Sequence, residues 1–356
     1  MSRKILVLEL WGVGDLTFST LFIREALAKG DEVHLLAKPY ARPLLEKTFP
    51  GLKIIGFDAP WTKFTGKYRL WQWNWKELLP LIASLRAEHY DAGVSVRHDP
   101  RDHLLLQLCG VRERYGFPKK GSQIFLNRPV QQSRSFKQHR VEDWQDLAVA
   151  LGFADGRTAA PALNHAAYRS ERISQLLGGA QKPVICLHTG ARIAVRRWPE
   201  TYFAAVLKQL RAEFDFHLVL VPDPDGYGSG LAGMADAVAT DLNVTELVDI
   251  LGRASVLLCN DSAPAHLAAA CGRSAIAIFG PTDPDWFRPW GEDHRVIIRD
   301  LCEYRPCFDY CRFPEPYCMT KLHPEDAYPE IREHLLTLIR TGKLSGAICL
   351  PGHSAI

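Results

Sequence analysis

No stretch of the 356 residues approaches the roughly 20 consecutive apolar residues that a bilayer-spanning helix needs, which predicts a soluble or at most peripheral protein. No secretory leader is expected either, because the apolar run Ile5 to Leu10 is short and leads straight into a Gly-rich turn and an amphipathic pattern. Met1 is therefore expected to begin the mature chain, and the cytoplasm to be its compartment. Charge of one sign is scarce: 43 Lys and Arg against 40 Asp and Glu leave a net charge of +3, too weak a field to argue for a nucleic-acid partner. Any basic surface must be local. With 47% hydrophobic and 23% charged residues the chain is far from a disordered composition and long enough for two separate cores.

Strand-like and helix-like patterns alternate in the first half, running KILVLEL, LTFSTLFIREALAKG, EVHLLAK, RPLLEKTF and KIIGFD. After an aromatic stretch from Trp61 to Trp75, a helix pattern KELLPLIASLRAEH and a strand pattern YDAGVSV continue the alternation. A polar, Ala/Gly-rich region from Gly152 to Pro183 then precedes a second series: PVICLH, TYFAAVLKQLRAEF, HLVLV, VTELVDILGRA, VLLCN, APAHLAAACG and AIAIF. Such alternation builds parallel sheets covered by helices on both faces. The expected class is α/β with two Rossmann-like domains, 1–165 and 166–340. A last helix is expected from Glu325 to Arg340, with residues 341–356 as a poorly ordered tail.

The first βα turn, ELWGVGDLT, places Gly12 and Gly14 between strand and helix, yet the third glycine of a dinucleotide fingerprint is missing, since Thr17 stands there. Lys38, at the end of the second strand, also occupies the place of a ribose-binding acid. Asp15 would repel a pyrophosphate in that turn, so a neutral ligand suits it better. Asp15 itself reads either as a helix-capping residue or as a base taking a proton from a sugar hydroxyl.

In the second half NDSAPAHLAAACG sets Asp261 and Ser262 at a strand-to-helix junction, with Pro264 in the first helical turn. Free backbone N–H groups there, the Ser262 hydroxyl and the His266 imidazole make a candidate diphosphate cradle; an ordinary capped helix is the plainer alternative. The turn HTGARIAVRRWPE adds Thr189, Gly190, Arg196 and Arg197 at the same end of the same sheet, where ligands of parallel α/β folds bind.

These motifs resemble the ADP-heptose:lipopolysaccharide heptosyltransferases of glycosyltransferase family nine, over about residues 4–340. NDSAPAHLAAACGRSAIAIFGPTDP is the most specific match, supported by WGVGDL, HTGARIAVRRWPE and HYDAGVSVRH. The resemblance implies a GT-B fold whose two domains face a central cleft, with inverting transfer of heptose from an ADP-heptose donor to a glycan or glycolipid hydroxyl, by default the lipopolysaccharide inner core. It implies Asp15 as catalytic base and Arg196 in the place of a phosphate-binding lysine. Asp261, Ser262 and His266 would contact the ADP-sugar; Gly14, Arg97, His98 and Arg101 would stand on the acceptor side. Catalysis would need no cofactor, and peripheral contact with the inner membrane face would fit the acceptor. Ala263 departs from the family's glycine, and VPDPDG replaces its Gly-Gly followed by an acid, leaving Asp225 as candidate ribose ligand and Asp223 as rival. A protein or small-molecule acceptor, or a non-catalytic sugar-nucleotide-binding protein, are the competing readings.

Two segments stand outside this pattern. Cys302, Cys307, Cys311 and Cys318 form a C-x4-C-x3-C-x6-C run, four soft ligands suited to a structural zinc or iron, with two disulfides or free thiols as alternatives. Some relatives in the resembled family, autotransporter heptosyltransferases among them, carry a similar cysteine finger. WTKFTGKYRLWQWNWK interleaves Trp61, Phe64, Tyr68, Trp71, Trp73 and Trp75 with Lys63, Lys67, Arg69 and Lys76, either as a surface for an acceptor sugar, anionic glycolipid or membrane, or as core filling.

Overall fold

The computed structural model describes residues 2–63, 65–134, 138–153 and 155–344. Two compact units divide the chain, Met1–Leu163 and Asn164–Ile356. In the first, β1 (Lys4–Glu9), α1 (Val13–Ala28), β2 (Glu32–Ala37), α2 (Ala41–Leu45), β3 (Lys53–Gly56), α3 (Trp75–Ala87), β4 (Ala92–Ser95), α4 (Pro100–Leu108), β5 (Glu113–Gly116), β6 (Arg128–Pro129) and α5 (Arg140–Ala150) follow one another. The six strands are parallel in the order β3-β2-β1-β4-β5-β6.

The second unit repeats the plan with α6 (Glu171–Leu177), β7 (Val184–His188), α7 (Glu200–Glu213), β8 (His217–Val221), β9 (Ala237–Val238), α8 (Val244–Arg253), β10 (Val256–Asn260), α9 (Ala263–Ala270), β11 (Ser274–Ile278), α10 (Pro284–Phe287), β12 (Arg295–Ile297), α11 (Tyr317–Thr320) and α12 (Pro324–Arg340). Its parallel sheet runs β12-β11-β10-β7-β8-β9.

The central strands are continuous apolar runs because helices cover both faces: KILVLE in β1, VICLH in β7 and VLLCN in β10 are almost wholly buried. Helix starts obey local chemistry; α8, for example, begins with a capping box in which Asn243 accepts from Thr245 and Glu246 while Glu246 returns a bond to the Asn243 N–H. After α12 the chain turns back, and Leu344 packs into the core of the second unit. The rest of the expected tail, 345–356, lies outside the described residues.

In each sheet the strand order reverses once, between β1 and β4 and between β7 and β10. Loops leaving the carboxyl ends of adjacent strands diverge at such a point and open a ligand crevice. The turns carrying Asp15 and Arg97 follow β1 and β4; those carrying Arg196 and Asp261 follow β7 and β10.

Candidate active-site residues in the two units

At the end of β1 two carboxyl groups share a small volume. Gly12 is the N-cap of α1 and has no side chain to cap with; Asp15 stands at the third helical position, where the Gly12 N–H favours its charged form. Asp15 itself stays only partly buried. Burial raises the Asp15 pKa, against the pull of Arg140, the Gly12 N–H and Arg97. A carboxylate more basic than usual is better suited to accept a proton.

Glu9, the last residue of β1, is 1% exposed. Its Oε1 accepts the Trp11 N–H at 3.0 Å, and its Oε2 has no hydrogen-bond partner among the described residues. Burial, then the charge of Asp15, pushes the Glu9 carboxyl up to about 8. The guanidinium groups of Arg97 and Arg140 lie over the Trp11 ring, at 4.6 and 5.8 Å from its centroid, and bring positive charge to this acidic pocket.

The acceptor-side candidates differ in how far the protein itself already engages them. Arg97 is buried, donating to both oxygens of Asp102 at 3.1 Å and to Asp99 at 3.3 Å, which makes it part of the floor. Arg101 holds Asp99 through Nε at 2.9 Å and a terminal nitrogen at 2.7 Å. His98 stacks on Phe117 at 5.5 Å; its Nε2 is buried without a partner among the described residues, and burial lowers its pKa to about 4, so the ring is neutral at pH 7. Gly14 is buried in the first turn of α1.

In the second unit the two turns form one hydrogen-bonded frame. Asn260, buried at the end of β10, donates to the Thr189 carbonyl at 2.6 Å and accepts the Trp198 N–H at 3.1 Å. Thr189 is itself buried, its hydroxyl donating to the Tyr227 carbonyl at 3.3 Å. Gly190 is required by close packing: a Cβ there would stand 2.3 Å from Asp223 Oδ2.

Arg196 donates to Asp261 Oδ2 at 3.3 Å and to Asp309 Oδ1 at 2.8 Å, while Thr282 donates to the same Asp261 oxygen at 2.6 Å. Arg197 spans Asp223 at 3.0 Å and Asp225 at 2.6 Å, with its guanidinium over the Tyr227 ring. Asp225 is the more exposed of these two acids, and the Tyr227 N–H, then Arg197, holds its pKa down; burial raises that of Asp223. Both cations are thus already paired, and an anionic ligand would have to draw them from carboxylates.

Helix α9 starts at Ser262 with no side-chain cap, because the Ser262 hydroxyl donates backward to the Asn260 carbonyl at 3.1 Å. This leaves the N-terminus of α9 suited to an anion. His266 is buried one turn in, with its pKa lowered to about 3 by burial, and adds no charge.

The cysteine loop lies against this frame. Cys307 and Phe308 both donate backbone N–H bonds to the Pro281 carbonyl at 3.0 Å, and Arg305 donates to the carbonyls of Gly280, Arg299 and Thr282. Cys318 is buried; burial, against the pull of Arg305 and with Cys307, Cys302 and Cys311 adding to it, raises its thiol to about 11, so the four sulfurs gather in one region. The donor set suits zinc or iron, although sulfurs around a tetrahedral ion stand about 3.8 Å apart, and no three of these lie within 4.8 Å of one another. Among the described residues the group meeting that distance is Glu32, His34 and Glu88, at the opposite end of the first sheet, where Lys4 and Lys53 already pair with Glu88.

Sequence reading missed Glu9, Asn260, Asp309 and Arg305. An acid closing an otherwise apolar strand was the one visible sign of Glu9; Asp309 and Arg305 were hidden among the cysteines.

Residues 78–317 match the family described as Glycosyltransferase family 9 (heptosyltransferase). Lipopolysaccharide heptosyltransferase 2 of Escherichia coli is 25% identical over 316 residues, covering 83% of this chain and 87% of that protein. The structure of E. coli ADP-heptose lipopolysaccharide heptosyltransferase II superposes with a TM-score of 0.71 at 22% identity, over 94% of this chain and 99% of that one. The iron-containing dodecameric glycosyltransferase TibC of enterotoxigenic E. coli gives 0.59 at 16% identity, over 95% and 80%. These likenesses show the GT-B fold expected for two parallel-sheet α/β domains. With the family match spanning more than half of the sequence, the chain belongs to glycosyltransferase family 9, the heptosyltransferase family, and is a glycosyltransferase.

Proposed function

We propose that this enzyme transfers a heptose, with inversion, from ADP-heptose to a hydroxyl of a lipopolysaccharide inner-core glycan, with Asp15 as general base. The observation that carries this reading is the pair of switch points. One holds a partly buried carboxylate of raised basicity; the other holds Arg196, Arg197 and the uncapped N-terminus of α9.

Asp15 would take the proton of the attacking hydroxyl. Arg196 and the backbone N–H groups at Ser262 would receive the charge that develops on the departing ADP, and Asp225 would bind its ribose. His98 and Arg101 would orient the acceptor. The chain's own residues supply base and leaving-group stabilisation, so the scheme needs no catalytic cofactor. The cysteine loop would hold a structural zinc or iron.

Homology to lipopolysaccharide heptosyltransferases supports the donor and the acceptor class. A protein acceptor is the second reading, kept by the cysteine loop and the likeness to TibC. Turnover measured with ADP-, UDP- and GDP-sugars against a lipid-free core oligosaccharide tests the proposal. ADP-heptose should be consumed with release of ADP and appearance of the extended glycan. Donor consumption for another nucleotide, or none with any core acceptor, would overturn it.

A further inference from the structure

We propose that the face formed by residues 68–79 docks the enzyme on an anionic lipid bilayer. This rests on the glycolipid acceptor of the proposed function and deepens it, by naming the surface from which the acceptor is taken.

Tyr68, Leu70, Trp71, Trp75 and Leu79 are five of the eleven large hydrophobic side chains exposed among the described residues, and they fall within twelve consecutive positions. Trp71 is 78% exposed, Tyr68 74%, Leu79 58% and Leu70 53%. Such clustering on a folded surface marks a binding face.

The patch is built to stay outside. Trp61 is buried and donates its indole N–H to Asp102 Oδ1 at 2.7 Å. Trp73 packs on Trp61 at 5.3 Å and on Trp75 at 5.6 Å, and the Trp75 indole N–H bonds back to the Leu70 carbonyl at 2.8 Å. The inner tryptophans thus hold the segment rigid while Tyr68, Leu70, Trp71 and Leu79 project. Little ordering entropy remains to be lost on docking.

Charge selects the partner. Lys63, Lys67, Arg69 and Lys76 lie among these rings against a single acid on the face, Glu77, which accepts from the Asn74 amide at 3.0 Å. Indole, phenol and leucine side chains fringed by cations match the interfacial zone of a bilayer, where rings sit at headgroup depth and cations face acidic phospholipid. Branched aliphatic groups such as Leu70 and Leu79 give a sugar nothing to bond to, whereas acyl chains accept them. The patch also adjoins the acceptor side: Arg101 donates to the Lys67 carbonyl at 3.1 Å, and its guanidinium lies over the Tyr68 ring at 5.3 Å. A glycolipid headgroup leaving the bilayer would meet Arg101 first.

Co-sedimentation of the full chain with vesicles of phosphatidylglycerol and phosphatidylcholine, against phosphatidylcholine alone, tests this. The protein should pellet with the anionic vesicles, with a blue-shifted tryptophan emission, and be released by salt. Trp71→Ala combined with Leu79→Ser should cut partitioning at least tenfold, and Arg69→Gln and Lys76→Gln should each cut it about fivefold. ADP affinity, measured on the same variants, should be unchanged and shows that they are folded. Equal pelleting with neutral vesicles, no pelleting with either, or full retention by the Trp71 variant would overturn the proposal. Transfer to a lipid-free acceptor is read separately, so a failure of docking and a failure of the transferase reading are told apart.

Discussion

Replacing Glu9 by Gln should stabilise the protein, and increasingly so as the pH rises. In the folded chain the Glu9 carboxyl titrates near 8 instead of its ordinary 4.5, because it is buried beside Asp15 with one oxygen unpartnered. Between those two values the folded state keeps a proton that the unfolded chain has released. Stability is therefore fully present below about pH 4.5 and is lost as pH rises towards 8, by about 1.4 kcal/mol per pH unit. From pH 5 to 8 this amounts to about 4 kcal/mol if Glu9 titrates alone, and less if Asp15 shares the proton. Gln keeps an oxygen for the Trp11 N–H and has no proton to release, so its slope from this site is zero. A stability change of 1 kcal/mol moves the melting temperature of a unit this size by about 2–4 °C. The gap between variant and parent should thus widen by roughly 3–6 °C per pH unit. Thermal melts of both proteins at pH 5, 6, 7 and 8 measure it, and parallel curves would refute the buried-acid account.

Three further outcomes are expected. Asp15→Asn should lower turnover by ~10²–10⁴ while ADP affinity stays put, since the residue lies in the unit that does not carry the donor candidates; turnover close to normal would leave Asp15 as a helix cap only. By calorimetry, Arg196→Ala should weaken ADP binding by about 10–100-fold, the worth of a charge-assisted contact, whereas Asp309→Asn should strengthen it up to about fivefold by releasing one side of Arg196; if neither variant moves the constant, Arg196 is outside the donor site. Elemental analysis should find about one zinc or iron per chain, with chelation lowering the melting temperature; metal-free protein with an unchanged melt, or two disulfides by mass spectrometry, would remove the metal site.

Strands buried on both faces write themselves as unbroken apolar runs, so β1, β7, β8, β10 and β11 could be read directly, and with them the turns that carry Asp15 and Asp261. Pairing across the chain could not. Arg197 reads as a phosphate cation until Asp223 and Asp225, 26 and 28 residues on, fold against it. The aromatic segment gives one composition but two environments: Trp61 is core, Trp71 is solvent, and only the turns at Pro60–Thr62 and Leu70–Gln72 decide which. The burial of Glu9 was illegible because a carboxylate at a strand end looks solvated until the turn at Trp11 closes over it.

Asn260 fastens the two donor-side turns through main-chain groups alone, the Thr189 carbonyl and the Trp198 N–H. Neither bond depends on which side chain stands at the fastened position. The frame of the proposed donor site is therefore held independently of the side chains at its rim, and a substitution at the exposed Asp225 can retune a ribose contact without reshaping the walls. An Asn260→Asp change would do the opposite, keeping every candidate donor-binding side chain and losing the amide hydrogen that holds the Thr189 turn in register. Diversification of donor preference in such a pocket can proceed one side chain at a time, with the buried amide as the part that has to be inherited intact.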